Sequence, residues 1–75
     1  MRYQAILSLY CNDFINHTFE AFASTAQAAI NKVRKQAIKE GFNELNSRGQ
    51  ISICKRRYCE HDANYYHVGI VLAWN

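Results

Sequence analysis

The sequence has 75 residues, of which 49% are hydrophobic and 20% are charged, and its formal net charge is +3 at pH 7. This length predicts a single domain over residues 1–75, and the apolar content excludes a disordered tail. The apolar runs are too short to cross a bilayer and the first residues lack a signal-peptide pattern, so we expect a cytoplasmic protein with no membrane partner. Three cysteines, an odd number, agree with free thiols in a reducing compartment.

The first part of the chain predicts a β-hairpin. Residues 2–11 alternate as a strand does, with one face formed by Tyr3, Ala5, Leu7, Leu9 and Cys11. Asn12 and Asp13 favour a turn, which Asn16 closes. Residues 17–23 then form the returning strand, with Phe19 and Ala21 pointing inward.

An amphipathic helix is predicted over about residues 25–40. Ser24-x-x-Gln27 has the form of a capping box, and Gly41 stands where a helix C-cap glycine is expected. The apolar stripe of this helix consists of Ala26, Ala29, Ile30, Val33 and Ala37. The lysines on its other side, Lys32, Lys35 and Lys39, are expected to face water.

Two further strands are predicted after a loop at residues 46–49. In residues 50–58 and 65–74, successive side chains alternate between the two faces of a strand. Before the loop, we expect Phe42 and Leu45 to pack under the sheet edge. The order ββαββ predicts an α+β fold with two layers, in which one helix packs on one face of a four-stranded antiparallel sheet.

The opposite face of this sheet has no predicted cover. The apolar residues expected there are Ile6, Tyr10, Phe22, Tyr58, Tyr65 and Val71. Because a large exposed apolar patch on a small protein usually marks a contact site, we expect this face to bind a macromolecule or a second copy of the chain.

The sharpest local feature is the basic segment Lys55-Arg56-Arg57-Tyr58. Alternation sends Arg56 and Tyr58 to one face, where a guanidinium and a ring could bind a phosphate and a base, or a carboxylate surface. We predict that these four residues bind a partner, together with Arg48 and Tyr65. The alternative interpretation is an edge strand that charge protects from aggregation. The sequence leaves both open.

Residue types that bind zinc or act as nucleophiles are present near the basic segment. Cys54 and Cys59, five residues apart, would point to opposite faces of a strand, so His61 and His67 do not complete a zinc knuckle with them. Cys59, His61 and Asp62 are close in sequence, but neighbours around a turn rarely converge, and no glycine-rich oxyanion or phosphate loop accompanies them. We therefore expect no metal, no cofactor and no catalytic residue.

The stretch HTFEAFASTAQAAINKVRKQA, residues 17–37, is a strand that runs through a capping serine into an alanine-rich basic helix. This layout, with strands following it, resembles small phage anti-CRISPR proteins that act on type I (I-F-like) surveillance complexes. The resemblance implies a non-enzymatic inhibitor that docks on a bacterial RNA-guided multisubunit complex and blocks its access to target DNA.

Two function classes follow from these features. A chain of charge +3 would not imitate DNA, so an inhibitor of this kind would block sterically or compete through its positive surface. The alternative is a small basic nucleic-acid-binding module that contacts the phosphate backbone through Lys55, Arg56, Arg57 and Arg48 and stacks Tyr58 or Tyr65 on bases.

Overall fold

A computed structural model describes residues 2–11, 14–56 and 65–74; of residues 11, 14–16, 56, 65 and 66 it describes the backbone alone. In chain order the elements are β1 Arg2–Cys11, β2 Phe14–Ala23, α1 Ala26–Lys39, β3 Arg48–Arg56 and β4 Tyr65–Leu72. This order confirms the predicted ββαββ arrangement.

The four strands form one antiparallel sheet in the order β2-β1-β3-β4. β1 and β2 are a hairpin, and α1 carries the chain across the sheet so that β3 pairs with the free side of β1. β1 and β3 therefore lie in the centre, and β2 and β4 are the two edges. The α+β class that the sequence predicts is confirmed.

The core lies between α1 and one face of the sheet. It consists of Ala5, Leu7, Leu9, Ala21, Ala29, Ile30, Val33, Ala37, Ile51, Ile53 and Ala73. The predicted stripe of α1 is the buried one, and its alanines let the helix approach the sheet closely. The helix lies over β2 and β1 and reaches β3 at its margin, whereas no Cα atom of α1 lies within 8 Å of a Cα atom of β4.

The helix begins one residue later than the predicted capping box requires. Thr25 is the N-cap, with an extended backbone, and its Oγ1 accepts a hydrogen bond from the Ala28 N–H at 3.1 Å. Gln27 bonds Asn31 within the helix instead of reaching back. The assignment of Ser24 as the cap is therefore wrong by one position, because Thr25 offers the same hydroxyl one residue closer.

The C-terminal end of α1 confirms the predicted glycine cap. Gly41 has φ +97° and donates its N–H to the Ile38 carbonyl, and Phe42 donates to the Ala37 carbonyl. These two bonds form a Schellman motif, which requires the left-handed conformation at Gly41. Phe42 then packs against the core, as predicted.

Leu45 departs from its predicted place under the sheet edge, since 92% of it is exposed. The cause is a self-contained turn: the Asn43 Oδ1 accepts from the N–H groups of Leu45 and Asn46. Asn side chains often close turns in this way. The loop satisfies its own polar groups, so Leu45 is not drawn inward.

Three strand limits differ from the predicted ones. β2 starts at residue 14 instead of 17, β3 starts at 48 instead of 50, and β4 ends at 72 instead of 74. Beyond β4, the Ala73 N–H bonds the Gly49 carbonyl and the Trp74 Nε1–H bonds the Ser47 carbonyl at 3.0 Å. Ala73 and Trp74 are thus held by this backbone and this side-chain hydrogen bond, and the β-ladder between β3 and β4 does not continue to them.

Val71 lies on the helix face and not on the uncovered face where the sequence places it. It pairs with Ile51 and packs against the core. A β-bulge between Ile53 and Cys54 shifts the phase of β4, so that Gly69 pairs with Ile53 while Tyr65 pairs with Arg56. A single alternating pattern cannot describe both halves of such a strand.

Candidate binding surface

The described residues of the predicted contact set do not form one site. Arg48 pairs with Tyr10 at one end of β3, and Lys55 pairs with Tyr3 at the other. Seven residues of strand separate them by about 24 Å and place them on opposite faces. Arg56 and Tyr65 are paired through their backbones. Arg57 and Tyr58 lie outside the described residues.

The edge-strand interpretation of the basic segment is wrong for its first two residues. Lys55 pairs with Tyr3 of β1 and with Tyr66 of β4, and Arg56 pairs with Arg2 and Tyr65. β3 is therefore a central strand up to its end. Charge on these residues does not serve to protect a free edge.

Three cations lie at the end of the sheet where Lys55 lies, with Arg2 and Lys55 on opposite faces. The Arg2 Cζ is 5.0 Å from the centroid of the Phe22 ring, and the Lys55 Nζ is 5.7 Å from the centroid of the Tyr3 ring. Lys32 of α1 donates from its Nζ to the Phe22 carbonyl at 3.0 Å. We call Arg2, Lys32 and Lys55 the basic end.

The basic end presents charges on both sides of the sheet, and each of its cations contacts a ring or a backbone carbonyl. A cation within about 6 Å of a ring face is attracted by the ring quadrupole, so Arg2 and Lys55 lose part of their freedom before any partner arrives. Such pre-positioned cations suit phosphate or carboxylate groups. The cations cover faces of Phe22 and Tyr3, so those faces are not available for bases to stack on.

Sequence reasoning missed Arg2 and Lys32 as members of this cluster. The position of Arg2 could have been predicted from the alternation of β1 and the register of the hairpin. Residues 2 and 4 share a face of β1, and Phe22 lies on that face because it pairs with Gln4. No sequence pattern indicates the contact of Lys32, because it depends on where α1 crosses β2.

Among the described residues, the sheet face opposite α1 is aliphatic at one edge and of mixed polarity in the centre, where Ile6 is half-buried and Cys54 is buried. In the centre, Gln4 is buried and donates to the Glu20 carboxylate at 2.9 Å, and Ser8 and Ser52 are half-buried. On β4, 53% of Val68, 56% of Ile70 and 60% of Leu72 are exposed. We call these three residues the β4 aliphatic row. Tyr10 is also exposed, at 44%.

Arg48 belongs to a separate groove at the opposite end of the sheet. This open groove of about 270 Å³ is lined by Glu44, Ser47, Arg48, Gly49, Leu72, Ala73 and Trp74. One acidic and one basic side chain line it. The groove therefore has no excess of positive charge, and Arg48 does not extend the basic end.

Cys54 is buried and pairs with His67 across β3 and β4. Within the described part of the chain, no group of three or more His, Cys, Asp or Glu side chains could hold a metal ion. Cys59, His61 and Asp62 lie outside that part. The expectations of no metal and no catalytic residue thus stay predictions.

No protein-family model matches the sequence, and comparisons with curated proteins and with solved structures found no significant match. Among the described helical residues, no helix is long and apolar enough to cross a membrane.

Proposed function

We propose that this chain is a non-enzymatic cytoplasmic inhibitor, encoded by a phage or another mobile element, that binds a bacterial RNA-guided CRISPR surveillance complex and blocks its access to target DNA. The observation that carries this proposal is the basic end, where ring and backbone contacts hold Arg2, Lys32 and Lys55 in place. The resemblance of residues 17–37 to small anti-CRISPR proteins supports this choice of partner.

The charge of the chain supports a negative partner surface. An RNA-guided complex presents guide-RNA phosphates and acidic protein patches, and fixed cations bind both. A chain of net charge +3 would be attracted to such surfaces over a Debye length of about 8 Å at physiological salt. Inhibition would follow when the bound chain occupies space that target DNA needs.

A small nucleic-acid-binding module is the second candidate, and the same cations favour it. Salt distinguishes the two, because binding dominated by phosphate contacts weakens steeply as salt rises, whereas an interface with a protein component weakens less. The covered ring faces of Tyr3 and Phe22 count against base stacking at the basic end.

The direct test measures binding of target DNA by a purified surveillance complex with and without this protein. We expect the wild-type chain to inhibit the binding of target DNA by the complex. In a separate pull-down from a bacterial lysate, we expect the chain to capture the complex even after nuclease treatment. Capture that disappears after nuclease treatment, with no inhibition in the purified system, would favour the nucleic-acid module.

Substitutions locate the contact surface. We expect Arg2→Ala, Lys55→Ala, Arg56→Ala and Tyr58→Ala each to weaken binding by about 1–3 kcal/mol, as truncated arginine and aromatic anchors do. The matched controls Lys35→Ala and Lys39→Ala, on the exposed side of α1, should cost under about 0.5 kcal/mol. Lys32 is not a neutral control, since it bonds the Phe22 carbonyl. Equal losses in both sets would place the contact elsewhere.

A further inference from the structure

Tyr10 differs from the other Phe, Tyr and Trp side chains that the structure describes. It is the exposed one, at 44%. The others lie under a cation or pack against the core: Tyr3, Phe19, Phe22, Phe42 and Trp74. Within the described part of the chain, no cation and no second ring contacts the Tyr10 ring. The faces of this tyrosine are therefore open to a ligand.

Arg48 lies beside Tyr10 on the adjacent strand. The two residues are Cα partners in the pairing of β1 with β3, so their side chains leave the same sheet face with Cβ atoms about 5 Å apart. Leu9, the neighbour of Tyr10, is fully buried in the core, so this face is the one opposite α1. Arg48 is exposed, and among the described residues its guanidinium has no hydrogen-bond or ion-pair partner.

The next cross-strand pair on this face adds a hydroxyl and an amide. It consists of Ser8, which is half-buried, and Gln50, which is exposed. Both side chains can donate to and accept from a polar ligand. Glu44 lines a groove with Arg48, but Tyr10 does not line that groove. An anion between Tyr10 and Arg48 therefore lies outside the groove that contains the carboxylate.

We propose that Tyr10 and Arg48 form a binding site for single-stranded nucleic acid, in which an unpaired base stacks on the Tyr10 ring and Arg48 binds a neighbouring phosphate. Aromatic rings beside cations are the means by which proteins hold unpaired strands of any sequence. The net charge of +3 complements such a polyanion. The proposal does not rest on the proposed inhibitor function, because an isolated strand is sufficient as ligand.

The place of the site in the sheet favours an unpaired strand over a duplex. Tyr10 on β1 and Arg48 on β3 belong to the two central strands. Because neighbouring strands are about 4.8 Å apart, the axes of the two outer strands are about 14 Å apart, which exceeds the width of about 12 Å of a DNA major groove. Bases inside a duplex are also stacked on both sides, so only an unstacked base can place a face on Tyr10.

Fluorescence anisotropy with labelled oligonucleotides of about ten residues tests the proposal with the whole chain. The ligands are oligouridylate, oligothymidylate and a DNA duplex of the same length. We expect at least one of the two single strands to bind at least about tenfold more tightly than the duplex. The comparison of the two single strands shows whether RNA or DNA is preferred. A duplex that binds as tightly as both single strands overturns the proposal.

Substitutions separate stacking from general charge. Tyr10→Leu removes the ring and should weaken binding at least about fivefold, whereas Tyr10→Phe keeps the ring and should bind like the wild type. Arg48→Gln should also weaken binding at least about fivefold. Its matched control Lys35→Gln, on the exposed side of α1, should weaken binding under about twofold. Urea midpoints of all four variants check that the fold is retained.

The ring-proton NMR signals of Tyr10 give a second readout on the wild type alone. A stacked base should move them upfield, while those of Tyr3, whose ring lies under Lys55, should move far less. Tyr10 signals that stay unchanged at saturation, or a Lys35→Gln loss equal to that of Arg48→Gln, overturn the proposal. If the wild type binds no oligonucleotide up to about 1 mM, and Tyr10→Leu loses capture of a surveillance complex from nuclease-treated lysate, the face binds protein and nucleic acid is excluded.

Discussion

Gly49 is the position in the sheet where the packing of two strands depends most on the lack of a side chain. A Cβ built there would lie 2.5 Å from the Ser8 carbonyl oxygen and 2.6 Å from the Leu9 Cδ2. β1 and β3 can therefore approach each other at this point only if residue 49 has no side chain. The sequence predicts a loop glycine at this position, and only the pairing of Gly49 with Leu9 reveals its role.

We expect Gly49→Ala to lower the free energy of unfolding by about 1–3 kcal/mol, because the added methyl group overpacks a site bounded partly by backbone. Urea unfolding followed by circular dichroism measures this change. An unchanged midpoint would mean that β1 and β3 separate at this end without cost.

Gly41 carries a different constraint, since nothing lies within 4 Å of its built Cβ and its φ is +97°. We expect Gly41→Val to destabilise the fold by about 1 kcal/mol or more, from backbone strain alone. Gly69→Val is the matched control, because Gly69 also has open space but no left-handed φ. Valine favours strands, so this control should lose nothing in the same urea experiment.

At the scale of single elements, the start of α1 shows how two adjacent hydroxyl residues compete for one cap. Ser24 and Thr25 both satisfy the sequence rule for an N-cap, and the bond from the Ala28 N–H selects Thr25. Helix limits are commonly ambiguous by one or two residues for this reason.

We expect Thr25→Ala to cost about 1 kcal/mol of stability, the usual loss of an N-cap side chain. Ser24→Ala should cost under about 0.5 kcal/mol, since exposed substitutions away from such contacts are nearly neutral. Thermal melts of both variants test the assignment. A larger loss at Ser24 would restore the capping box that the sequence pattern favours.

β4 is the element whose sequence pattern is most misleading. Its alternation is strong, yet the bulge opposite Cys54 changes the phase between its two halves. Val71 therefore packs against the core, whereas Val68, Ile70 and Leu72 are exposed. A bulge is set by strand pairing, which no local window of sequence contains.

At the scale of the whole molecule, the off-centre position of α1 decides which surfaces are free. The helix covers β1 and β2 and reaches β4 only through Arg34, which donates to the Leu72 carbonyl. The side chains of the β4 aliphatic row remain exposed, while Lys32 reaches the β2 edge. The basic end and the β4 aliphatic row are thus separate surfaces of one protein.

The metal content of the purified protein is a further whole-molecule prediction. We expect no stoichiometric zinc by elemental analysis, and a melting temperature that a chelator leaves unchanged, because Cys54 and Cys59 lack knuckle spacing. One zinc ion per chain would overturn this expectation and would direct attention to Cys54 and His67, which pair across the sheet.

The sequence by itself determined the element order, the buried stripe of α1, the glycine cap at Gly41 and the inward face of β1. Each of these depends on spacing within one segment and on the local chemistry of a cap or turn, which a sequence displays directly. The α+β class followed from the same patterns, since two hairpin-length strand pairs around one amphipathic helix have few ways to bury their apolar faces.

Only the tertiary structure decided the strand order, the phase of β4, the role of Gly49 and the composition of the basic end. Arg2 contacts Phe22, which is 20 residues away in sequence, and Lys55 contacts Tyr3, which is 52 residues away. The predicted contact set was drawn from one segment, so it joined Arg48 to residues about 24 Å away along β3. Contacts between distant segments depend on register and helix position, which the packing of the whole chain determines.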